Sequence, residues 1–263
     1  MRPYRVRASN LSRSSENKIH DDGVARRYGF EGALVPGVEV YAYLMHLPVA
    51  RWGRAFLERG AAAGRFVAPV YDGEEVEVAA SGQDGAMAIE ARSRGVVCAT
   101  GTASMPADRP AGPPLSAYGK AVAPAKDRRP EASARSLAIG GELVSFPLDA
   151  NEEVAGEYLR GVQEADPLYA KHGLVHPGLV LRMCNRALLE SVRLGPWIHV
   201  GSEVRNLSAA RVGETLLARG RVTANYERKG HLFVAFDALV LAAGRPVARV
   251  QHTAIYQPRR KAA

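Results

Sequence analysis

His20 is the side chain of this sequence best suited to moving a proton near neutral pH. It lies in a dense polar run, Ser15-Glu16-Asn17-Lys18-Ile19-His20-Asp21-Asp22. Imidazole titrates close to neutrality, and a neighbouring carboxylate can orient it. Glu16, Asp21 and Asp22 put three carboxylates within a few positions. A plainer reading is a loop histidine bonded to backbone, with Ser15 and Asn17 as turn formers whose side chains bond the local chain. Glu39 is a second candidate. It sits in the first turns of an otherwise apolar helical stretch, where burial would raise its pKa into a useful range. The competing reading is a first-turn glutamate that favours the helix dipole.

Other chemistry is thinner. Arg26, Arg27 and Arg65 could grip phosphate, since guanidinium binds it in bidentate fashion. The two cysteines, Cys98 and Cys184, are far apart, and neither a disulfide framework nor a zinc site is expected. No phosphate loop, dinucleotide fingerprint or metal-ligand cluster is present, so no cofactor is expected. Gly140-Gly141 and the glycines at 82 and 85 read as turns.

The 263 residues are 47% hydrophobic and 24% charged, enough for a sizeable core. The net charge is +8, with 35 bases against 27 acids. Arginine is spread along the chain rather than gathered in a patch, apart from a short tail at Arg259-Arg260-Lys261. That distribution argues against nucleic acid and is compatible with a polyanionic ligand. No apolar run reaches membrane-spanning length, and the basic start has no apolar stretch behind it. A cytoplasmic, non-membrane protein is expected.

The elements that must position His20 and Glu39 come in two copies. Phe66-Val67-Ala68-Pro69-Val70-Tyr71-Asp72-Gly73-Glu74-Glu75-Val76 is echoed by Leu207-Ser208-Ala209-Ala210-Arg211-Val212-Gly213-Glu214-Thr215-Leu216. Val35-Pro36-Gly37-Val38 is echoed by His176-Pro177-Gly178-Leu179. Both echoes give an offset of roughly 140 residues, the mark of a duplication. Proline punctuates residues 106–135, which reads as a linker. The expected division is residues 1–107, a linker over 108–135, and residues 136–263. Each half shows a short strand, an irregular segment with a short helix, an apolar helix, then long strands. In the first half Asp21 or Asp22 caps a turn that Gly29 stops. Pro36 opens the apolar helix and Pro48 is expected to end it, with a second helix running to Gly60. Asp84-Gly85 and Lys229-Gly230 are hairpin signals. The fold class expected is α+β, a double hotdog: two tandem repeats, each a buried helix wrapped by a long antiparallel sheet.

Three segments of the first half resemble the MaoC-like (R)-specific enoyl-CoA hydratases and dehydratases. They are residues 17–32, with Asn17, Ile19, His20, Asp22, Ala25 and Gly29-Phe30; Leu34-Val35-Pro36-Gly37; and the strand and turn at 66–76. The resemblance implies syn addition of water to an enoyl thioester, or its reverse. It implies His20 as acid/base, Asn17 as the motif's amide, and the backbone of Gly37 and Val38 as the oxyanion site. Helix N-terminal N–H groups suit such an oxyanion.

The family's aspartate falls on Ser15, however, and the motif proline on Lys18. Glu16, or Asp21 or Asp22, could take the carboxylate role, or the site could be unable to hydrate. Glu164 falls on the second half's histidine position, so that half is expected to lack the dyad. His172 and His176 read there as helix-end or pocket-lining residues. Hotdog thioesterases of another branch place a carboxylate on the central helix, which makes Glu39 the centre of an alternative reading. Tyr41, with Tyr43 and His46, reads as core or tunnel wall. A third reading is a non-catalytic hotdog that binds an acyl thioester. The expected partner is an acyl-CoA or an acyl-carrier-protein thioester, and a homodimer is possible.

Overall fold

The computed structural model describes residues 1–83 and 85–259. Asp84 and the tail residues Arg260 and Lys261 lie outside the described residues. The first repeat opens with β1 (Tyr4–Arg7), a 3-10 turn over Lys18–His20, and α1 (Asp22–Arg27). The long helix α2 (Gly37–Arg59) follows. Then come β2 (Ala61–Phe66), β3 (Glu75–Ser81), β4 (Ala86–Ser93) and β5 (Val96–Ser104). The second repeat has β6 (Glu142–Val144), β7 (Leu148–Asp149), α3 (Glu152–Gly161), α4 (Leu168–His172), α5 (Pro177–Ser191), β8 (Ile198–Asn206), β9 (Thr215–Arg228), β10 (His231–Ala242) and β11 (Arg245–Gln257).

All strands join one 11-stranded sheet in the order β1-β3-β4-β5-β2-β8-β11-β10-β9-β6, with β7 also on β9. The two halves meet where β2 pairs antiparallel with β8, from Ala61 opposite Arg205 to Arg65 opposite Gly201. That pairing closes two edges that would otherwise be open templates for aggregation. Helices α2 and α5 lie against each other inside the curved sheet. Their buried faces, with Tyr41, Leu44, Met45, Leu181, Cys184 and Leu188, form the core common to both repeats. This is the double hotdog arrangement.

Local chemistry explains the elements that frame the site. Asp21 caps α1 by accepting from Val24 N at 3.0 Å, and Gly29 stops the turn with φ 89°. Asp22 instead accepts from Ala33 N at 2.8 Å, pinning the loop that returns to α2. Pro48 does not end the helix. The chain stays helical through it, and the break falls at Gly53, whose φ of 57° and ψ of −145° lie outside helical space. Proline removes one helical donor, but Leu47, Pro48 and Val49 are all buried, and packing outweighs that loss.

The proline-rich stretch carries two 3-10 turns, over Leu115–Ala117 and Lys126–Arg128. It is held to the second repeat. Tyr118 packs with Leu207, Leu239 and Leu241 and donates to Asp237 at 2.8 Å. At the β9–β10 turn, Lys229 and Gly230 both have positive φ, as a two-residue hairpin of this hand requires.

Candidate functional site

The 3-10 turn at Lys18–His20 buries His20 at the start of α2. Its Nδ1 lies 2.7 Å from the carbonyl of Leu34, so Nδ1 carries the proton and Nε2 is the bare nitrogen. Burial drives the His20 pKa down to about 4, with the Arg182 charge adding to the effect, so the ring is neutral at pH 7. The Asn17 amide donates to Nε2 at 3.2 Å and to the carbonyl of Trp197 at 2.9 Å. Its oxygen accepts from Ile19 N at 3.3 Å and Trp197 N at 3.1 Å. Asn17 therefore holds the imidazole and ties the first repeat to the second.

His20 and Asn17 line a cavity of about 260 Å³, most of whose wall is apolar. Ile19, Phe30, Leu34, Val35, Val40 and Phe66 supply the first repeat's share. Asn185, Trp197, Ile198, His199, Val200, His231 and Ile255 supply the second's. Gly37, the first residue of α2, also lies on the wall. Pro36 caps that helix without a side-chain bond, which leaves the N–H groups of Gly37 and Val38 without helical acceptors. A Cβ on Gly37 would stand 2.9 Å from both His199 Nδ1 and Phe66 Cδ2, so only glycine fits there. A helix N-terminus opening onto an apolar cavity is a fixed donor set for a developing oxyanion.

The carboxylates do not converge on His20. Ser15 bonds the carbonyl of Asn17 at 3.4 Å. Glu16 turns outward to Lys126 at 2.9 Å and Arg129 at 3.2 Å, because those cations of the proline-rich stretch draw it away. Asp21 and Asp22 are spent on backbone N–H groups. Among the described residues that line the cavity, none is Asp or Glu.

Glu39 is also off the wall. It is fully buried at the α2–α5 contact, where Arg182 Nε and Nη2 both donate to its Oε1. Burial raises its pKa against the pull of Arg182. Tyr41 packs beneath β2, against Gly64, and Val38 faces the core; neither lines the cavity.

The three arginines do not gather. Arg26 bonds the carbonyl of Glu31, and Arg27 borders a separate hollow with Lys18, Tyr28 and Pro196. Arg65 lies in a groove with Arg228, Lys229 and His231, which shares Phe66, Val200 and His231 with the cavity wall.

The matching place in the second repeat is filled. Glu164 is 3.0 Å from His46 and 3.8 Å from His176, and these contacts hold its pKa well below the usual carboxylate range despite burial. His176 caps α5 by accepting from Gly178 N at 3.0 Å. Tyr158 closes off Gly178, where a Cβ would meet its hydroxyl and Ala42.

The second repeat's contribution to the cavity is what the polar run at 15–22 does not reveal. His199 Nε2 bonds Ser202 Oγ at 2.9 Å, and Ser202 bonds His252 Nδ1 at 2.9 Å. A register shift in the β8–β11 pairing, between Thr253 and Ala254, turns His199 and Ser202 inward together. Polar residues at inward positions of an apolar strand are the sequence signal for this group.

No protein-family model matches the chain, and no curated protein matches it in sequence. Solved structures match it over nearly its whole length. A candidate MaoC-domain dehydratase from Chloroflexus aurantiacus is 11% identical, with a TM-score of 0.64, covering 97% of this chain and 93% of that one. A conserved hypothetical protein from Mycobacterium tuberculosis, described as having a double hotdog fold, is 15% identical with a TM-score of 0.64, covering 97% and 96%. A candidate thioesterase from Novosphingobium aromaticivorans is 13% identical with a TM-score of 0.56, covering 97% and 95%. The chain is thus a double hotdog protein, sharing its fold with MaoC-like dehydratases. At these identities the likeness is one of fold, and function has to be argued from the site.

Proposed function

We propose that this protein is an acyl-thioester hydratase or dehydratase in which His20 is the sole acid/base group. The observation that carries the reading is the bare Nε2 of a neutral, backbone-anchored His20 on the wall of a cavity that also contains the N-terminus of α2. In the hydration direction, Nε2 takes a proton from water as its oxygen bonds to Cβ of the enoyl thioester. The π pair moves to the thioester oxygen, where the N–H of Gly37 at the start of α2 holds the enolate. The enolate returns its pair to Cα, which takes the same proton from His20. Water is added across one face, and His20 ends neutral. Asn17 yields its long bond to Nε2 when water arrives, and keeps the ring in place through Trp197.

A single base is proposed because no carboxylate lines the cavity among the described residues. The same observation favours a second reading, a hotdog that binds acyl thioesters without turning them over. A thioesterase centred on Glu39 has less support, since Arg182 occupies that carboxylate away from the cavity.

Crotonyl-CoA and longer enoyl-CoA thioesters test the proposal. The expected result is loss of the enoyl chromophore without release of free thiol, and loss of that activity in His20→Ala. No turnover at any chain length by folded protein would leave the binding reading, and thiol release would point to hydrolysis.

A further inference from the structure

Phe66, Val200 and His231 line both the cavity and a groove of about 530 Å³ on the sheet. The two join close to the start of α2, since a Cβ on Gly37 would stand 2.9 Å from the Phe66 ring. The groove lies on the face turned away from the helices. Arg65, Glu203 and Gln251 are exposed there, while Gly64, Ser202 and His252 beside them are buried. Its floor is low where the repeats meet. A Cβ on Gly201 would stand 2.8 Å from the Gly64 carbonyl, so bare backbone lies beside Arg65.

Three cations line this groove: Arg65 on β2, and Arg228 and Lys229 at the β9–β10 turn. Glu203 is its one carboxylate among the described residues. Arg249 and Arg245 hold carboxylates on neighbouring strands, whereas Arg65, Arg228 and Lys229 have no carboxylate partner, Glu203 included, among the described residues. His231 Nδ1 accepts from Arg259 N at 3.0 Å, which leaves the proton of the neutral ring on Nε2 as a further donor.

The strands that carry the second cation group also carry an aromatic pair. Tyr226 and Phe233, directly opposite on β9 and β10, stack with centroids 5.0 Å apart and planes 2° from parallel. Both line the groove, and Tyr226 is 41% exposed. Guanidinium groups bind phosphate, and an exposed aromatic face stacks a nucleobase.

We propose that this groove holds a phosphorylated nucleoside at the far end of the thioester's arm, which makes coenzyme A, rather than a carrier protein, the bearer of the acyl group. The proposal rests on the acyl-thioester reading and names its substrate class. Phosphates meet Arg65, Arg228 and Lys229, and the base lies against Tyr226. The acyl end enters the cavity past Phe66, Val200 and His231. A carrier-protein thioester brings one phosphate and no base, which would leave the stacked rings unused.

The test compares butyryl thioesters of coenzyme A, of pantetheine and of a phosphopantetheinylated carrier protein. Hydration cannot consume these saturated chains, and binding to the full chain is measured by calorimetric titration. The coenzyme A thioester is expected to bind at least about tenfold tighter than either of the others. Arg65→Gln and Arg228→Gln should each weaken its binding about fivefold or more, and Tyr226→Ala should do the same. These side chains are exposed, and the pantetheine thioester should bind all three variants as it binds the wild type. Arg160→Gln, an exposed cation on α3 outside the groove, should leave the preference unchanged.

Equal binding of the coenzyme A and pantetheine thioesters would overturn the proposal. So would tighter binding of the carrier-protein thioester, a preference untouched by the groove variants, or failure of every thioester to bind. Hydration of enoyl-pantetheine as fast as enoyl-CoA, with equal binding of the two saturated thioesters, would sink this proposal and keep the catalytic reading. A groove-dependent preference in a wild type that hydrates nothing would do the reverse.

Discussion

Asn17 and Trp197, 180 positions apart, exchange two hydrogen bonds: the Asn17 amide donates to the Trp197 carbonyl at 2.9 Å, and Trp197 N donates to the Asn17 oxygen at 3.1 Å. The same amide reaches His20 Nε2. One side chain thereby sets the position of the candidate base and the register of the two repeats around it. Asn17→Ala leaves both Trp197 backbone groups buried and unpaired. It should cost about 3 kcal/mol of stability and lower turnover as the imidazole loosens. Urea unfolding beside a rate measurement checks both, and an unchanged midpoint would contradict the clamp.

The pH dependence follows from buried neutral histidines. Burial depresses His20 to about 4 and His199 to about 3, and it lowers His176 and His252 as well. Unfolded, such groups titrate near 6.5. Between that value and the folded pKa the unfolded chain binds more protons, so stability falls as pH drops from about 6.5 toward 4. Above pH 7 these groups contribute no further change. Turnover that needs neutral His20 should hold level down to about pH 5, with its acid limb near 4 rather than 6.5. Thermal melts and a pH–rate profile over that range test the two statements separately.

Gly37 is predicted to tolerate no side chain. Gly37→Ala drives a methyl into His199 and Phe66 at the helix N-terminus. The cost expected from overpacking is about 1–3 kcal/mol, together with a loss of turnover larger than the loss of substrate binding. A variant that melts and turns over like the wild type would show that the helix start does not face the reacting oxygen.

Glu39 and Arg182 should prove structural. Glu39→Gln is expected to leave turnover unchanged. Arg182→Met strands a buried carboxylate and should destabilise the fold by about 3 kcal/mol. Loss of activity in Glu39→Gln with an intact melting temperature would revive the thioesterase reading.

The double hotdog architecture and the buried helices were legible in the sequence because each rests on local signals, a repeated strand-turn pattern and an apolar helix after Pro36; the polar run at 15–20 marked a candidate site. The departures have physical causes that no local pattern carries. Pro48 reads as a helix stop, yet burial on both sides carries the helix through it to Gly53. Glu16 reads as a replacement for the carboxylate missing at Ser15, yet Lys126 and Arg129 draw it outward. Glu39 reads as a base, yet its partner Arg182 comes from the other repeat. Asn185, Trp197 and His199 reach the cavity only because β2 and β8 join the halves.

The central claim is that His20 alone moves the proton. Its most direct test is the hydration rate of an enoyl-CoA thioester by the wild type, His20→Ala and Glu16→Gln, each shown to be folded by its melting transition. The account predicts a fall of about 100-fold or more in His20→Ala and no comparable fall in Glu16→Gln. Equal rates in His20→Ala and the wild type, or a collapse in Glu16→Gln, would contradict it.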